Sequence, residues 1–255
     1  MEQTGGLGLD REIIFELCAE SLEACHAAHE GGSDRIELCS ALSEGGLTPS
    51  HSLIHAAVTQ SGLPVYVILR PRSGDYVYSA AEFRLMQDDL ERAQALGASG
   101  FVAGILRPDG SVDRGRMEQL VKQAAPLEIT FHRAFDVAEN LELALEDAIA
   151  TGCRRLLTSG GATSVYAGAK EIRRLVEQAC ERIEIAVGGG LRHETAAEVA
   201  RITQAKHFHG SVRHWQPSYG CDLDGVPMGQ LVTSPADVRT MITALRTIPS
   251  ESEHT

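Results

Sequence analysis

The chain has 255 residues, of which 43% are hydrophobic and 23% are charged, and its formal net charge at pH 7 is -12. These proportions are typical of a globular protein that can bury a large core, which excludes disordered and fibrous proteins. The acidic balance and the lack of any basic block exclude a protein that wraps nucleic acid, because neutralising phosphates requires a surplus of Lys and Arg.

Residues 1–11, MEQTGGLGLDR, are predicted to be an N-terminal extension. They lack the basic and apolar stretches of a secretory signal, and no apolar run in the chain reaches the roughly 18 residues needed to span a bilayer. The six cysteines are scattered and form no CxxC pair, which argues against a disulfide framework and against a structural zinc site of the usual kind. We therefore expect a cytoplasmic protein with reduced thiols.

From residue 12 onward, short runs rich in Ile, Val and Leu alternate with amphipathic stretches rich in Ala, Glu and Arg. This alternation is the pattern of repeated βα units. Eight strands are predicted at residues 13–17, 34–38, 64–70, 99–105, 127–132, 153–158, 182–187 and 206–211. A repeat of about thirty residues, in a chain close to the usual length of such folds, predicts an α/β protein with a single (β/α)8 barrel, the TIM barrel.

The barrel is predicted to occupy residues 12–248 as one domain, followed by a C-terminal tail at 249–255. The clearest helices are expected at 80–96, at 164–179, which opens with a serine that can cap free N–H groups, and at 235–246. Two smaller domains and an open doubly wound sheet are the alternatives. The second usually carries GxGxxG after its first strand, where this chain has CAESLEA.

A long segment, residues 212–233, separates the last predicted strand from the last predicted helix. It contains glycines, prolines and the single tryptophan, Trp215, and is interpreted as a loop. Because loops of this length are uncommon in compact domains unless they are functional, it suggests a lid or an oligomer contact. We expect a homo-oligomer.

The first two predicted strands end in the same tripeptide, Glu-Leu-Cys. Because alternate side chains of a strand share a face, Leu17 and Leu38 are predicted to face the helices, and the glutamates and cysteines the barrel interior. The interior residues are thus Glu16, Cys18, Glu37 and Cys39. Burying an unpaired carboxylate is strongly unfavourable, so the two glutamates imply compensating cations, protonation or a ligand.

Charged residues also follow the third and fifth predicted strands, where the chain reads LRPR and FHRAFD. The C-terminal ends of barrel strands are where enzymes with this fold keep their chemistry. The side chains predicted to converge there are Glu16, Glu37, Arg70 and His132. A structural ion-pair network that closes the barrel top is the alternative.

Glycine-rich loops follow the last three predicted strands, at 159–161, 188–190 and 209–211. Such loops expose N–H groups in front of helix N-termini, the usual cradle for a phosphate or carboxylate in barrel enzymes. Simple turns are the alternative. The residues predicted to bind an anionic ligand are Arg72, Asp136, Ser159, Gly160, Gly188, Gly189, His209 and Ser211.

Six blocks of the sequence are specific enough to compare with known families: ELCAESLEACHAA, SDRIELCSALSEGGLTPS, VILRPRSGDYVYS, ITFHRAFD, RLLTSGG and FHGS. They run in order from residue 16 to residue 211, and together they resemble the CutC copper-homeostasis family. The resemblance implies a cytoplasmic barrel of this topology, linked to copper tolerance and proposed to bind Cu(I). Glu16-Leu17-Cys18 stands where other members can show a further cysteine.

Cu(I) is a soft ion that prefers thiolate ligands, so Cys18 and Cys39 on neighbouring strands are the predicted copper ligands. His132 or His209 can add a third ligand if the geometry allows. Since adjacent strands lie only about 4.8 Å apart, the strand register decides whether the two sulfurs meet. Two buried thiols without a metal are the alternative.

Two functions therefore remain open at this stage. The first is copper homeostasis through Cu(I) binding. The second is an enzyme that acts on a small anionic metabolite, phosphorylated or carboxylated. In that case Glu16 or Glu37 would be the general acid or base, His132 its partner, and Arg70 an electrostatic clamp. A scaffold without a ligand explains the buried charges least well.

Overall fold

Eight parallel strands close into a barrel in the computed structural model, which describes residues 13–223 and 226–247. They are β1 (Ile14–Ala19), β2 (Arg35–Leu38), β3 (Val65–Ile68), β4 (Gly100–Ala103), β5 (Glu128–Phe131), β6 (Arg155–Thr158), β7 (Glu184–Gly188) and β8 (His207–Gly210). The strands follow one another in chain order, and β8 pairs with β1 to complete the circle. This confirms the predicted TIM barrel, and each strand overlaps its predicted segment.

The helices that surround the barrel are α1 (Leu22–Gly31), α2 (His51–Gln60), α3 (Ala80–Ala95), α4 (Arg114–Ala124), α5 (Leu141–Ala150), α6 (Ala169–Ala179), α7 (His193–Thr203) and α8 (Pro235–Arg246). Two begin with a reciprocal capping box, formed by Ser79 with Glu82 and by Ser234 with Asp237. These caps account for the agreement of α3 and α8 with their predicted positions. Within the described ranges, no helix is both long and apolar enough to cross a membrane.

The predicted start of α6 at residue 164 is wrong by five residues, because the helix begins at Ala169. Ser164 does accept a hydrogen bond from a backbone N–H, but it is that of Ala167 in a turn before the helix. The turn is fixed from outside the segment, since the Val165 N–H donates to the Gly189 carbonyl of the β7 loop. A tertiary contact thus displaces the helix start from the position that the capping signal indicated.

The prediction of a loop at 212–233 is also wrong, because this segment forms an antiparallel hairpin of β9 (His214–Leu223) and β10 (Val226–Val232). Trp215 and Leu231 are opposite each other in the register and are 54% and 47% exposed. Prolines and glycines interrupt the alternation of side chains here, which hides the strands in the sequence. The role of this hairpin as a lid or an oligomer contact stays a prediction.

The strands separate two apolar regions. Side chains on their outer face, such as Phe15, Leu17 and Leu38, are fully buried in the main core beneath the helices. A second, small cluster lies inside the barrel and consists of Cys18, Cys39, Ile68 and Val102. The predicted alternation of the first two strands is therefore present. The predicted extension and tail lie outside the described residues, so those domain bounds stay predictions.

Candidate functional site

The N-terminal half of the barrel interior is filled by a buried ion-pair layer around Glu16. Its Oε2 lies 2.5 Å from Arg35 Nε and 3.3 Å from Arg155 Nη1, and its Oε1 lies 2.8 Å from His209 Nδ1. Burial alone raises the pKa of Glu16, but Arg35, His209 and Arg155 outweigh it and hold that pKa well below its usual range. Glu16 is thus an ionised and fully compensated carboxylate.

The two arginines extend this layer across the barrel. Arg35 also contacts Glu128 at 3.3 Å, and Arg155 lies 2.8 Å from His207 and 3.4 Å from Glu184. All five of these residues occupy the first position of their strands. The sequence offered a structural ion-pair network as the alternative to an active site. Such a network is present, but it lies at the N-terminal end of the strands and not at the C-terminal end where it was expected.

Glu37 lies one layer above Glu16, and its surroundings are different. The register places it beside Cys18, whose Sγ lies 3.6 Å from Glu37 Oε1, while Glu37 Oε2 is buried with no hydrogen-bond partner. Among the residues described here, no basic side chain forms an ion pair with it. Burial raises the pKa of Glu37, Glu16 adds to that effect, and His209 opposes it only in part. Of the three kinds of compensation expected from the sequence, a paired cation is absent for Glu37 among the described residues, which leaves protonation or a ligand.

The predicted copper ligands are adjacent. Cys18 Sγ and Cys39 Sγ lie 3.7 Å apart, and both cysteines are buried as free thiols. The hydrogen bond from Cys39 and the burial of the thiol raise the pKa of Cys18 well above its usual value, and Glu37 contributes in the same direction. The Cys18 thiol is therefore protonated at neutral pH when no metal is bound.

A second donor set shares one of these sulfurs. Cys18, Glu37 and His209 are all buried, and one ligand atom from each lies within 4.8 Å of the other two. Burial lowers the pKa of His209, but the Glu37 and Glu16 carboxylates reverse this, so its pKa is raised overall. The contact between Glu16 and His209 Nδ1 fixes the orientation of the imidazole ring.

A cavity of about 280 Å³ opens above these residues at the C-terminal end of the strands. Its walls include Cys18, Glu37, His209, His132, Arg133, Gly189, Ser211 and Arg213. His132 is buried, its Nδ1 accepts the Ala134 N–H at 3.2 Å, and its Nε2 has no partner. Burial and the nearby Arg70 lower the pKa of His132 to about 3, so the imidazole is neutral at neutral pH.

Arg70 and Arg72 do not line this cavity. Arg70 donates to the carbonyls of Glu44 at 2.7 Å, Gly46 at 3.1 Å and Gly74 at 2.9 Å, and so ties two loops together. Arg72 pairs with Asp75 and Glu82 outside the mouth. Of the four side chains predicted to converge, the structure brings Glu37 and His132 to the cavity, and places Glu16 beneath it and Arg70 beside it.

The backbone of the β6 loop donates hydrogen bonds to a carboxylate of the same chain, that of Asp136. Asp136 accepts hydrogen bonds from the Ser159 and Gly161 N–H groups, from Thr158 Oγ1 at 2.5 Å and from Ser159 Oγ at 2.9 Å. The Gly160 N–H donates to Thr158 Oγ1. Asp136 thus accepts from Ser159, and Thr158 accepts from Gly160, so the backbone N–H groups of both predicted ligand residues of this loop are already engaged.

The β7 and β8 loops differ from the β6 loop, because Gly189, His209 and Ser211 all line the cavity. Gly188 lies just below, where a Cβ atom would meet the side chains of Leu157 and His209. The expected anion site is therefore restricted to these two loops, and anion binding there stays a prediction.

Three arginines of the barrel, Arg35, Arg155 and Arg213, were missed in the sequence. Arg35 and Arg155 occupy interior positions of their strands, so the alternation that identified Glu37 also contained the signal for them. Arg133, from the charged run FHRAFD, and Arg213, from the segment between β8 and β9, line the cavity. No periodicity governs that segment, so nothing in the sequence indicated Arg213.

Comparisons with known proteins agree with this architecture. The family model described as the CutC family matches residues 13–214. A CutC protein of Chromobacterium violaceum is 47% identical over 200 residues, covering 78% of this chain and 81% of that protein. One from Bacteroides thetaiotaomicron is 41% identical and covers 93% of this chain and 96% of that protein. The crystal structure of CutC from Streptococcus agalactiae, named as a proposed copper homeostasis protein, superposes with a TM-score of 0.74 at 35% identity, covering 78% of this chain and 98% of that one.

Proposed function

This chain belongs to the CutC family, and from that membership we propose that it is a cytoplasmic copper-homeostasis protein that binds Cu(I) at the barrel mouth. The observation that carries the proposal is the 3.7 Å separation of Cys18 Sγ and Cys39 Sγ. Both sulfurs lie at the inner wall of the barrel, where Cys18 reaches the cavity.

The spacing of the two sulfurs fits a soft monovalent ion. Metal–thiolate bonds of about 2.3 Å place two sulfurs about 4 Å apart in a trigonal site. The observed 3.7 Å is close to this separation. His209 is the candidate for a third ligand, because one of its ring nitrogens lies within 4.8 Å of Cys18 Sγ. Binding releases the thiol protons, so copper affinity should fall as the pH is lowered.

An anaerobic competition titration with a Cu(I) chelator tests the proposal. The wild type is expected to hold one equivalent of Cu(I), and the Cys18→Ser, Cys39→Ser double variant to lose it. Cys180→Ser is the matched control, because Cys180 is an exposed thiol far along the chain from the pair. Equal copper retention by the wild type and the double variant would remove this site.

A second function, an enzyme acting on a small anionic metabolite, is favoured by a separate observation. Glu37 Oε2 and His132 Nε2 are both buried without partners, and both residues line a cavity that Arg133 and Arg213 also line. A carboxyl group and a neutral imidazole can act as acid and base. Arg133 and Arg213 are paired with Asp136 and Glu20, and their remaining N–H groups can donate to a negatively charged substrate. The volume of about 280 Å³ suits a small metabolite.

Phosphate titration followed by NMR tests the anion site of this second function. Shifts confined to the amides of residues 189–191 and 211 at millimolar phosphate would support it. The amides of the β6 loop should not respond, because Asp136 and Thr158 already engage them. No response at any of these loops would leave the glycines as turn residues.

The hairpin of β9 and β10 supports a further part of the proposal, a homo-oligomer. Trp215 and Leu231 form an exposed apolar pair on it, and such pairs are more common at interfaces than on free surfaces. Sedimentation of the wild type should show an oligomer that the Trp215→Ser, Leu231→Ser double variant weakens. A monomeric wild type would contradict this part of the proposal.

A further inference from the structure

Two glutamates inside the barrel have opposite surroundings. Glu16 contacts two arginines and a histidine, whereas among the described residues the only hydrogen-bond partner of Glu37 is the Cys18 thiol, at 3.6 Å. Glu37 Oε2 is buried without any partner. An unpaired carboxylate in a low-dielectric interior is strongly unfavourable, so this position is suited to a cation that residues 13–223 and 226–247 do not supply.

The atoms around Glu37 are metal donors of mixed type. A thiol sulfur, a carboxylate oxygen and an imidazole nitrogen lie within 4.8 Å of one another, and all three side chains are buried. Carboxylate is a poor ligand for Cu(I), whereas zinc and similar divalent ions accept sulfur, nitrogen and oxygen together. One thiolate and one carboxylate also neutralise a divalent charge, which lowers the free energy needed to bury it.

We infer that Cys18, Glu37 and His209 form a binding site for a divalent cation of the zinc class, with one coordination position open to the cavity. The site shares Cys18 with the proposed Cu(I) pair, but it does not depend on Cys39. Three protein ligands and an open position facing a cavity are the arrangement of zinc sites that exchange water or bind a substrate.

The remaining contacts favour this site. Ligand atoms of a tetrahedral zinc site lie about 3.3–3.6 Å apart, so the observed spread of up to 4.8 Å closes with side-chain movements of about 1 Å. Glu16 holds His209 through Nδ1, which leaves Nε2 for the metal. Arg35 and Arg155 in turn fix Glu16. A carboxylate on the distal nitrogen of a metal-binding histidine is the usual support of such ligands.

The shared ligand has a direct consequence. Cys18 belongs both to the divalent site and to the pair with Cys39, whose sulfur lies 3.7 Å away. One thiolate cannot serve two separate ions at full strength, so Cu(I) and the divalent cation compete. Binding of Cu(I) should therefore release the divalent cation from the barrel mouth.

The test uses the metal-free full chain and two probes, Zn2+ with a competing chelator and Co2+ followed by absorbance. The wild type should bind one equivalent of either metal, and Co2+ should show a thiolate charge-transfer band. Glu37→Gln and His209→Asn should weaken Zn2+ binding at least tenfold. Cys39→Ser should stay within about threefold of the wild type, and Cys180→Ser is the matched control for the number of thiols.

The outcomes separate this inference from the copper proposal. Lack of stoichiometric Zn2+ binding by the wild type, or equal binding by Glu37→Gln and the wild type, overturns the divalent site. Loss of Zn2+ in Cys39→Ser with retention in Glu37→Gln assigns the metal to the two thiols and overturns it as well. Failure of Cu(I) binding with normal Zn2+ binding removes only the copper proposal. If Glu37→Gln fails to fold by circular dichroism, His209→Asn and the Co2+ band of the wild type decide.

Discussion

At positions 16 and 37 the same side chain is buried to almost the same extent, yet its electrostatic environment differs completely. Arg35 and Arg155 compensate the first carboxylate, and no arginine contacts the second among the described residues. A buried charge stabilises a fold only when its partners replace the lost hydration. The two positions therefore allow one substitution to be compared in two environments.

Glutamine at these two positions should change stability in opposite directions in the metal-free protein. Glu16→Gln removes the charge that compensates two buried arginines and is expected to destabilise the fold by about 3–5 kcal/mol. Glu37→Gln removes an uncompensated charge and is expected to change stability by less than about 1 kcal/mol, on the stabilising side. Urea denaturation at pH 7 measures both. Comparable destabilisation by the two variants would contradict the difference in compensation.

His132 gives a pH dependence with a defined sign. Its pKa is lowered to about 3 in the folded chain, below its value in the unfolded chain. Between these two values the unfolded chain binds a proton at this histidine and the folded chain does not. The contribution of His132 to the free energy of unfolding is present above about pH 6.5 and is lost as the pH falls toward 3. The loss is about 2 kcal/mol between pH 6.5 and pH 5.

The variant His132→Asn tests this dependence. The asparagine Oδ1 can accept the Ala134 N–H in place of His132 Nδ1, so the local turn is preserved. Denaturation series at pH 6.5 and pH 5 should show that the variant loses about 2 kcal/mol less than the wild type over this interval. Parallel losses in the two proteins would show that other groups determine the acid sensitivity.

At the scale of elements, the β6 loop depends on the short 3-10 helix Arg133–Val137 that follows β5. Asp136 from that helix accepts hydrogen bonds from the loop backbone and from Thr158 and Ser159, and it pairs with Arg133 at 2.7 Å. A carboxylate with several donors in a partly buried position stabilises both segments. The two elements therefore form one unit at the rim of the barrel.

Asp136→Asn is expected to destabilise the protein by about 2–3 kcal/mol, because the amide cannot accept all of these donors. Asp109→Asn is the matched control. That carboxylate also accepts two hydrogen bonds, from Ser111, but it is exposed, so its substitution should cost less than about 1 kcal/mol. Thermal or urea denaturation compares the two, and equal effects would show that the β6 loop does not depend on Asp136.

At the scale of the whole molecule, a metal that binds only the folded barrel must raise its stability. A free Cu(I) concentration one hundred times the Kd adds about 2.7 kcal/mol, which for a chain of this size corresponds to about 5–10 °C in Tm. Anaerobic calorimetry with buffered Cu(I) should show this increase for the wild type. The Cys18→Ser, Cys39→Ser double variant should show none, and an equal increase in both proteins would place the metal elsewhere.

The sequence by itself determined the architecture of this protein and the identity of the residues that face the barrel interior. Eight apolar runs at regular spacing specify a βα repeat, because each run can bury both faces only between helices and a closed sheet. Within a strand, side chains alternate, so Glu16, Cys18, Glu37 and Cys39 follow from their positions alone. Both properties are local, and local sequence is sufficient for them.

The tertiary structure alone decided which of these residues meet. Glu16 and Arg155 are 139 residues apart in the chain, and only closure of the barrel joins them. The same closure brings His209 from the last strand to the first, and it leaves Glu37 without an ion pair to any arginine in the described part of the chain. In the β6 loop, Asp136 accepts hydrogen bonds from backbone N–H groups that were predicted to bind an anionic ligand. Pairing between distant segments depends on the register and on chain closure, which the periodicity of one segment does not contain.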